Sequence, residues 1–287
     1  MPRRWWDPSS EAAFSLLELL ISMGVTLSIT ATAFVLFHQS ERTFRDQAVI
    51  VEMQESARLV LSQVIDDIRM AGQATPSGLT DVILPGSSAS RLNVRMGFSA
   101  TESFVTTVPP VNLTLAAPLT LGVENTTGFS ANRQAFVWTR SDWARVTINS
   151  VSGSAKTIRF TPSLLSRTPM SFTAPPVISL DEAVSIYRDP VSQVVRRTTS
   201  TNTQDPASPI WSPANELATH VTALSFLYYD SAGMPISIDT AELRAGVAVI
   251  EVQVIVEASM ALSNGSRPRC SLSVRSSPRN LQLRSLI

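Results

Sequence analysis

Between Leu19 and Phe37 the chain carries no charged side chain, and from Phe34 to Ala71 it carries neither proline nor glycine. These overlapping windows fix the first quarter of the molecule as helix. At 1.5 Å per residue the uncharged part is ~28 Å long, close to the thickness of a bilayer's hydrocarbon core. Arg3 and Arg4 precede it, and no second apolar run of similar length follows. Basic residues ahead of a span favour retention on the cytoplasmic side, so the sequence predicts a single crossing with the bulk of the chain on the far side. Glu18 stands at the start of this apolar stretch. A carboxylate there costs a few kcal/mol on insertion scales, of order ~3, and reads as a group with a partner.

Past the span the pattern changes within the same helix. Phe44, Ala48, Val51, Met53, Ala57, Val60, Leu61, Val64, Ile65 and Ile68 recur in steps of three and four, which makes one apolar stripe. Charged residues fill the other face, with Glu41 four before Arg45 and Arg42 four before Asp46. Gly72, followed by Pro76 and Gly78, stops the helix after Arg69. The expected helix covers Phe14 to Ala71, roughly 87 Å.

Two simple readings of the N-terminus exist. In a cleaved secretory signal, Arg3 and Arg4 form the basic region and Ala31-Thr32-Ala33 the cleavage site. Glu18 interrupts the expected apolar region, and helix-compatible sequence runs on past Ala33. In an uncleaved signal anchor the span is explained but Glu18 is left unpaired in lipid.

Beyond Pro76 the chain is rich in Ser, Thr, Val and Pro, and short alternating or β-branched runs replace the helical stripe. Strands are expected at 91–96, 111–115, 135–139, 144–148, 157–160, 183–187, 194–198, 221–229, 247–258 and 270–274. In the strongest, Glu251, Gln253 and Glu257 share one face and Val252, Val254 and Val256 the other. Turn signals at Ser152-Gly153, Asp189-Pro190, Asp205-Pro206 and Ala232-Gly233-Met234-Pro235 separate them. The fold class expected is α+β, a long N-terminal helix packed on a C-terminal β-rich head, with one sheet lying on the stripe from Val51 to Ile68.

Little in the composition points to catalysis. His38 and His220 are the two histidines and Cys270 the one cysteine, so neither a His cluster nor an intrachain disulfide can form. Cys270 reads as a buried strand thiol. Asp66-Asp67 reads as a solvated helix edge, because neighbours on a helix point about 100° apart. Asp181-Glu182 lacks the oxygen-dense loop that calcium requires. Arg196-Arg197 reads as an exposed strand edge, with no interleaved aromatics to suggest nucleic-acid binding. Acidic and basic residues balance at 23 each. Asn112, Asn125 and Asn264 begin glycosylation sequons of the kind chance supplies in a Ser/Thr-rich chain. Trp138, Trp143 and Trp211 read as core residues, or as stacking groups if the head is a carbohydrate-binding module. No catalytic, metal or cofactor site is expected.

The N-terminal motif Ala13-Phe14-Ser15-Leu16-Leu17-Glu18, the long rod behind it and the helix end Asp67-Ile68-Arg69-Met70-Ala71-Gly72 together resemble type IV prepilins. The resemblance is nearest to PilW-like minor pilins, with J-type pseudopilins of type II secretion close behind. Leu224 to Asp230 with Gly233, and the C-terminal stretch from Val274 to Leu281, extend it more loosely over most of the length. The chain departs from the family's usual pattern in having Ala13 where Gly is common before the cut, and Ser15 where Thr is common after it. The resemblance implies a pilin-like fold and a leader of residues 1–13 removed between Ala13 and Phe14 by a prepilin peptidase. It further implies N-methylation of Phe14, a span or filament core at 14–37, an amphipathic half at 38–72 and a globular head at 73–287. Glu18 would align the subunit and neutralise a neighbour's N-terminal ammonium. The implied partners are major and minor pilin subunits, the peptidase and the inner-membrane assembly machinery. The implied location is the bacterial inner membrane before assembly and the pilus or pseudopilus after it. The competing reading is a signal-anchored extracytoplasmic β-domain that binds a ligand.

Overall fold

The computed structural model describes residues 15–76, 79–201, 203 and 209–278. Helix α1 (Leu16–Met70) runs unbroken for 55 residues, straight through Ala31-Thr32-Ala33. Strand β1 (Arg91–Arg95) follows, and then eight strands: β2 (Glu102–Phe104), β3 (Val111–Leu113), β4 (Leu119–Gly122), β5 (Gln134–Trp138), β6 (Trp143–Ser152), β7 (Thr157–Leu165), β8 (Met170–Phe172) and β9 (Val177–Leu180). The chain continues through β10 (Ala183–Asp189), β11 (Val194–Ser200), β12 (Asn215–Ala218) and β13 (Val221–Tyr229). A short α2 (Ala241–Ala245), β14 (Val249–Glu257) and β15 (Arg269–Ser276) complete the described part. The layout is α+β, a long N-terminal apolar helix followed by a β-rich region.

The head is built of two cores instead of the single sheet expected. The first core seats the helix. Val49, Met53, Ala57, Val60, Leu61, Val64 and Ile68 are buried, and α1 touches β12, β14 and β15. Two antiparallel sheets, β13-β14-β15 and β1-β10-β11-β12, supply the rest, including Ile250, Val252, Val254, Phe226, Val184 and Ile186. In β14 the valines at 252, 254 and 256 face this core, as their alternation predicts, because successive side chains of a strand point to opposite faces. The stripe is rotated from the one read in sequence. Val49 is buried, whereas Phe44, Ala48 and Val51 are exposed. The sheet reaches only one side of the rod's last six turns, so apolar residues above or beside that strip remain outside.

The second core lies in a six-stranded antiparallel sheet ordered β2-β9-β5-β6-β7-β4. Its two end strands meet. Thr106 N–H donates to the Gly122 carbonyl (2.8 Å) and Glu124 N–H to the Phe104 carbonyl (3.0 Å), beside a bridge between Val105 and Val123. The sheet is therefore a closed barrel, an arrangement that leaves no strand edge open. Ala135, Val137, Val146, Ile148, Phe160 and Ile178 fill it, and the antiparallel pair β3-β8 contributes Val111, Leu113, Met170 and Phe172 to the same core. The whole barrel is inserted between β1 and β10, which pair antiparallel with Arg95 opposite Ala183.

The helix end is stitched into this insertion point. Gly72 takes the left-handed conformation (φ 81°), and its N–H donates to the Arg95 carbonyl (2.8 Å). Gly97 N–H donates to the Gln73 carbonyl (3.0 Å), and a Cβ at Gly97 would stand 2.7 Å from that of Ala74, so only glycine allows the approach.

Candidate functional site

The first half of α1 is the feature that chemistry alone does not leave in water. Every described residue from Ser15 to Arg45 is exposed, among them Leu16, Leu20, Ile21, Leu27, Ile29, Phe34 and Phe37. This helix is long and apolar enough to cross a membrane, with a mean hydropathy of 2.0 over its best window. Its polar residues are neutralised locally. The hydroxyls of Ser22, Thr26, Ser28, Thr30 and Thr32 donate to the carbonyls of Leu19, Ser22, Gly24, Thr26 and Ser28 at 2.8–3.0 Å. Each hydroxyl thereby meets its hydrogen-bonding need inside the helix, which suits hydrocarbon surroundings.

Glu18 sits in the first turn, where a negative charge is favoured by the helix dipole. It makes no ion pair among the described residues. Ala13 and Phe14, the residues of the expected cut and methylation, lie outside the described residues. Gly24 has nothing within 4 Å of where a Cβ would stand, so none of the described residues demands glycine there. At the other end of the span His38 packs edge-on to Phe34 (4.4 Å) and lies 3.6 Å from Glu41, which in turn meets Arg45 at 3.2 Å. The charged surface starts here, one turn beyond the last fully apolar residues.

The head grips the rod first at Asp46. Ser263, in the loop between β14 and β15, donates its backbone N–H to Asp46 Oδ1 (2.9 Å) and its hydroxyl to Oδ2 (2.5 Å). These hydrogen bonds, the side-chain one foremost, hold the Asp46 carboxyl below its usual range. Three residues on, Val49 begins the buried stripe.

Two sequence readings are corrected, at Asp67 and at Arg197. Asp67 is fully buried and receives a bidentate pair from Arg197, Nε at 2.8 Å and Nη2 at 3.0 Å, while Asp66 stays exposed. Arg197 is correspondingly no edge residue, since β11 lies between β10 and β12. Its neighbour Arg196 pairs with Glu216 at 3.1 Å. Asp181 and Glu182 are buried at the root of the barrel. Asp181 contacts Arg95 and, at 3.0 Å, Arg145, and Glu182 pairs with Arg133 at 2.6 Å. Arg95 also reaches Asp81 at 2.8 Å, and the Arg95 and Arg145 guanidinium groups lie 5.4 and 5.6 Å from the ring centre of Phe136. Desolvation lowers the Arg145 pKa, an effect the nearby carboxylates oppose. The cluster joins the barrel wall to β1.

Trp138, Trp143 and Trp211 are half-buried, neither core nor free platforms. The Trp138 indole donates to Ser179 Oγ at 2.9 Å and Trp143 packs edge-on to Phe136. Cys270 is also half-buried, on β15. Among the described residues no group of His, Cys, Asp and Glu could hold a metal ion. No protein-family model matches the chain, and no curated protein matches it.

Proposed function

We propose that the chain is a minor pilin subunit of a type IV pilus, non-enzymatic, that is inserted in the inner membrane and drawn into a helical bundle during assembly. The observation that carries this reading is the division of one unbroken helix into an apolar, wholly exposed half headed by Glu18 and a half seated in a β-rich head. A signal that is cut off has no need of a continuous rod locked into the domain behind it. A rod shared between membrane and head can be moved as a unit.

In the membrane the segment 14–37 holds the subunit with the head outside. On assembly its apolar surface passes from lipid into a bundle, a transfer with little hydrophobic gain, so packing and polar pairing decide the register. Glu18 would pair there with the amine of a neighbour's Phe14. Each buried charge escapes its desolvation penalty only through the other. The leader 1–13 would be removed at Ala13-Phe14 by prepilin peptidase. The head, held to the rod from Asp46 onward, would be presented at the filament surface or tip beside other pilin subunits.

The test is the mass and first residue of the mature protein from its own host, combined with a Glu18→Ala variant. Expected are a start at Phe14 bearing a methyl group, and a variant that stays membrane-bound yet enters filaments at least tenfold less often, the loss of about 1.4 kcal/mol or more of pairing. A mature chain starting at Phe34 or at Met1, or normal incorporation of the variant, would overturn the proposal.

A further inference from the structure

The chain's one Asn-Gly pair, Asn264-Gly265, lies in the loop between β14 and β15 that carries Ser263 to Asp46. Residues 263–267 are all exposed. Asparagine followed by glycine is the pair most prone to lose side-chain ammonia, because no side chain shields the glycine nitrogen from the carboxamide beside it. The two reacting groups are treated oppositely in this turn. Asn264 Oδ1 accepts from the Ser266 N–H at 2.9 Å and from the Ser266 hydroxyl at 2.7 Å. Two donors on that oxygen draw charge from Cγ and stand where an oxyanion would form, so the carbon is prepared for attack. The nucleophile is held back. Gly265 N–H donates to the Leu262 carbonyl and Leu262 N–H to the Ser266 carbonyl, each at 2.8 Å, which closes the turn and keeps the Gly265 nitrogen protonated. The closed turn is in turn held by the rod. Ser263, its second residue, is fixed to Asp46 through both N–H and hydroxyl, and Ser259 reaches Glu52 at 3.5 Å.

We propose that Asn264-Gly265 is a self-modifying site guarded by the rod, which deamidates when the loop leaves Asp46 and whose acidic product opposes the loop's return. On release the turn-closing bond from Gly265 opens, whereas the contacts between Asn264 and Ser266, two residues apart, persist as a local Asx turn. The Gly265 nitrogen gives its proton to solvent and attacks Asn264 Cγ. The new N–C bond closes a succinimide ring, the Cγ–Nδ2 bond breaks, and Nδ2 takes a proton and departs as ammonia. Water then opens the ring at either carbonyl, leaving aspartate or isoaspartate, each with one carboxylate more than before. No oxidant or other reactant enters. The new charge lies one residue from Ser263 and hence beside Asp46, a like-charge pair that disfavours reseating. Isoaspartate also moves the side-chain methylene into the backbone, which puts the two turn-closing bonds out of register. The modification is therefore a lasting mark on subunits whose loop has let go of the rod.

The test incubates the full chain in detergent at mildly alkaline pH and follows the peptide that contains Asn264 by mass, where NH2 is exchanged for OH. Asp46→Ala is expected to deamidate about tenfold faster than the wild type, the extra opening that follows loss of a charged acceptor's hydrogen bonds, about 1.4 kcal/mol. Asn264→Gln, whose longer side chain would have to close a six-membered ring, should stay unmodified over the same period. Asn264→Asp carries the charge of the product, and its Ser263 amide should exchange about twofold faster than in the wild type. Amide protection in β13 and β14 is the check on folding and should keep its wild-type value in every variant. Equal deamidation rates in the wild type and Asp46→Ala would overturn the proposal. So would a faster rate that comes with lost protection in β13 and β14, or unchanged Ser263 exchange in Asn264→Asp.

Discussion

Asp66 and Asp67 are adjacent, yet one lies in water and the other is fully buried against Arg197. The 100° between neighbours on a helix is enough to separate them, and no property of the dipeptide says which will be inside. The same holds for Asp181-Glu182, whose partners Arg95, Arg145 and Arg133 stand 36 to 86 residues away in sequence. Carboxylates in buried networks are thus invisible to a reading of spacing, whereas the valines of β14 are not. The energetic consequence is asymmetric. Asp181→Asn removes the charge that faces two buried guanidinium groups, leaving Asp81 as their remaining carboxylate contact. Breaking a buried pair in this way costs about 3–5 kcal/mol. Asp66→Asn at an exposed position should stay within about 0.5 kcal/mol. Denaturant unfolding of the two variants compares them directly, and equal stabilities would show that the cluster contributes nothing net.

At the level of elements, the rod and the longer strands were legible because each repeats its own period over many residues. The 3.6-residue stripe and the missing breakers located α1 to within two residues at each end, and Gly72 takes the left-handed conformation expected at its end. The strands that escaped, β2, β4, β8, β9 and β12, are three or four residues long, too short to display an alternation. They owe their extended form to the neighbours they pair with. The attachment of rod to head at Asp46 was equally hidden, since Ser263 comes from a loop 217 residues later. That attachment is pH-sensitive. Because the folded-state pKa of Asp46 is lowered, its bonding to Ser263 is present above the usual carboxylate value near ~3.9 and is lost as pH falls through the lower folded value. The protection factor of the Ser263 amide, corrected for intrinsic exchange, should therefore fall between about pH 6 and about pH 3. Asp46→Ala should show the low value already at about pH 6. A wild-type protection factor that does not change over that range would mean that the loop is held by something other than this carboxylate.

The whole molecule has a division that no local pattern announced, because a barrel inserted between the paired strands β1 and β10 is defined by pairings between distant strands. Its interior shares no buried residue with the core that seats the helix. What joins the two is the charged cluster around Phe136 and a few backbone bonds, among them Met96 N–H to the Glu182 carbonyl at 2.9 Å. Cores joined by polar contacts can open separately, since cooperative units follow contiguous apolar packing. Phe160→Ala empties a fully buried site in the barrel and should cost about 3–5 kcal/mol there. Hydrogen exchange read strand by strand is expected to speed up throughout β4–β9 in this variant. The amides of β13 and β14, and those of α1 from Met53 to Ile68, should keep their wild-type protection. If both sets accelerate together, the head is one cooperative unit and strain on the barrel reaches the rod. If only the barrel loosens, the rod and its seat form a module of their own, able to hold a membrane or filament position while the barrel varies.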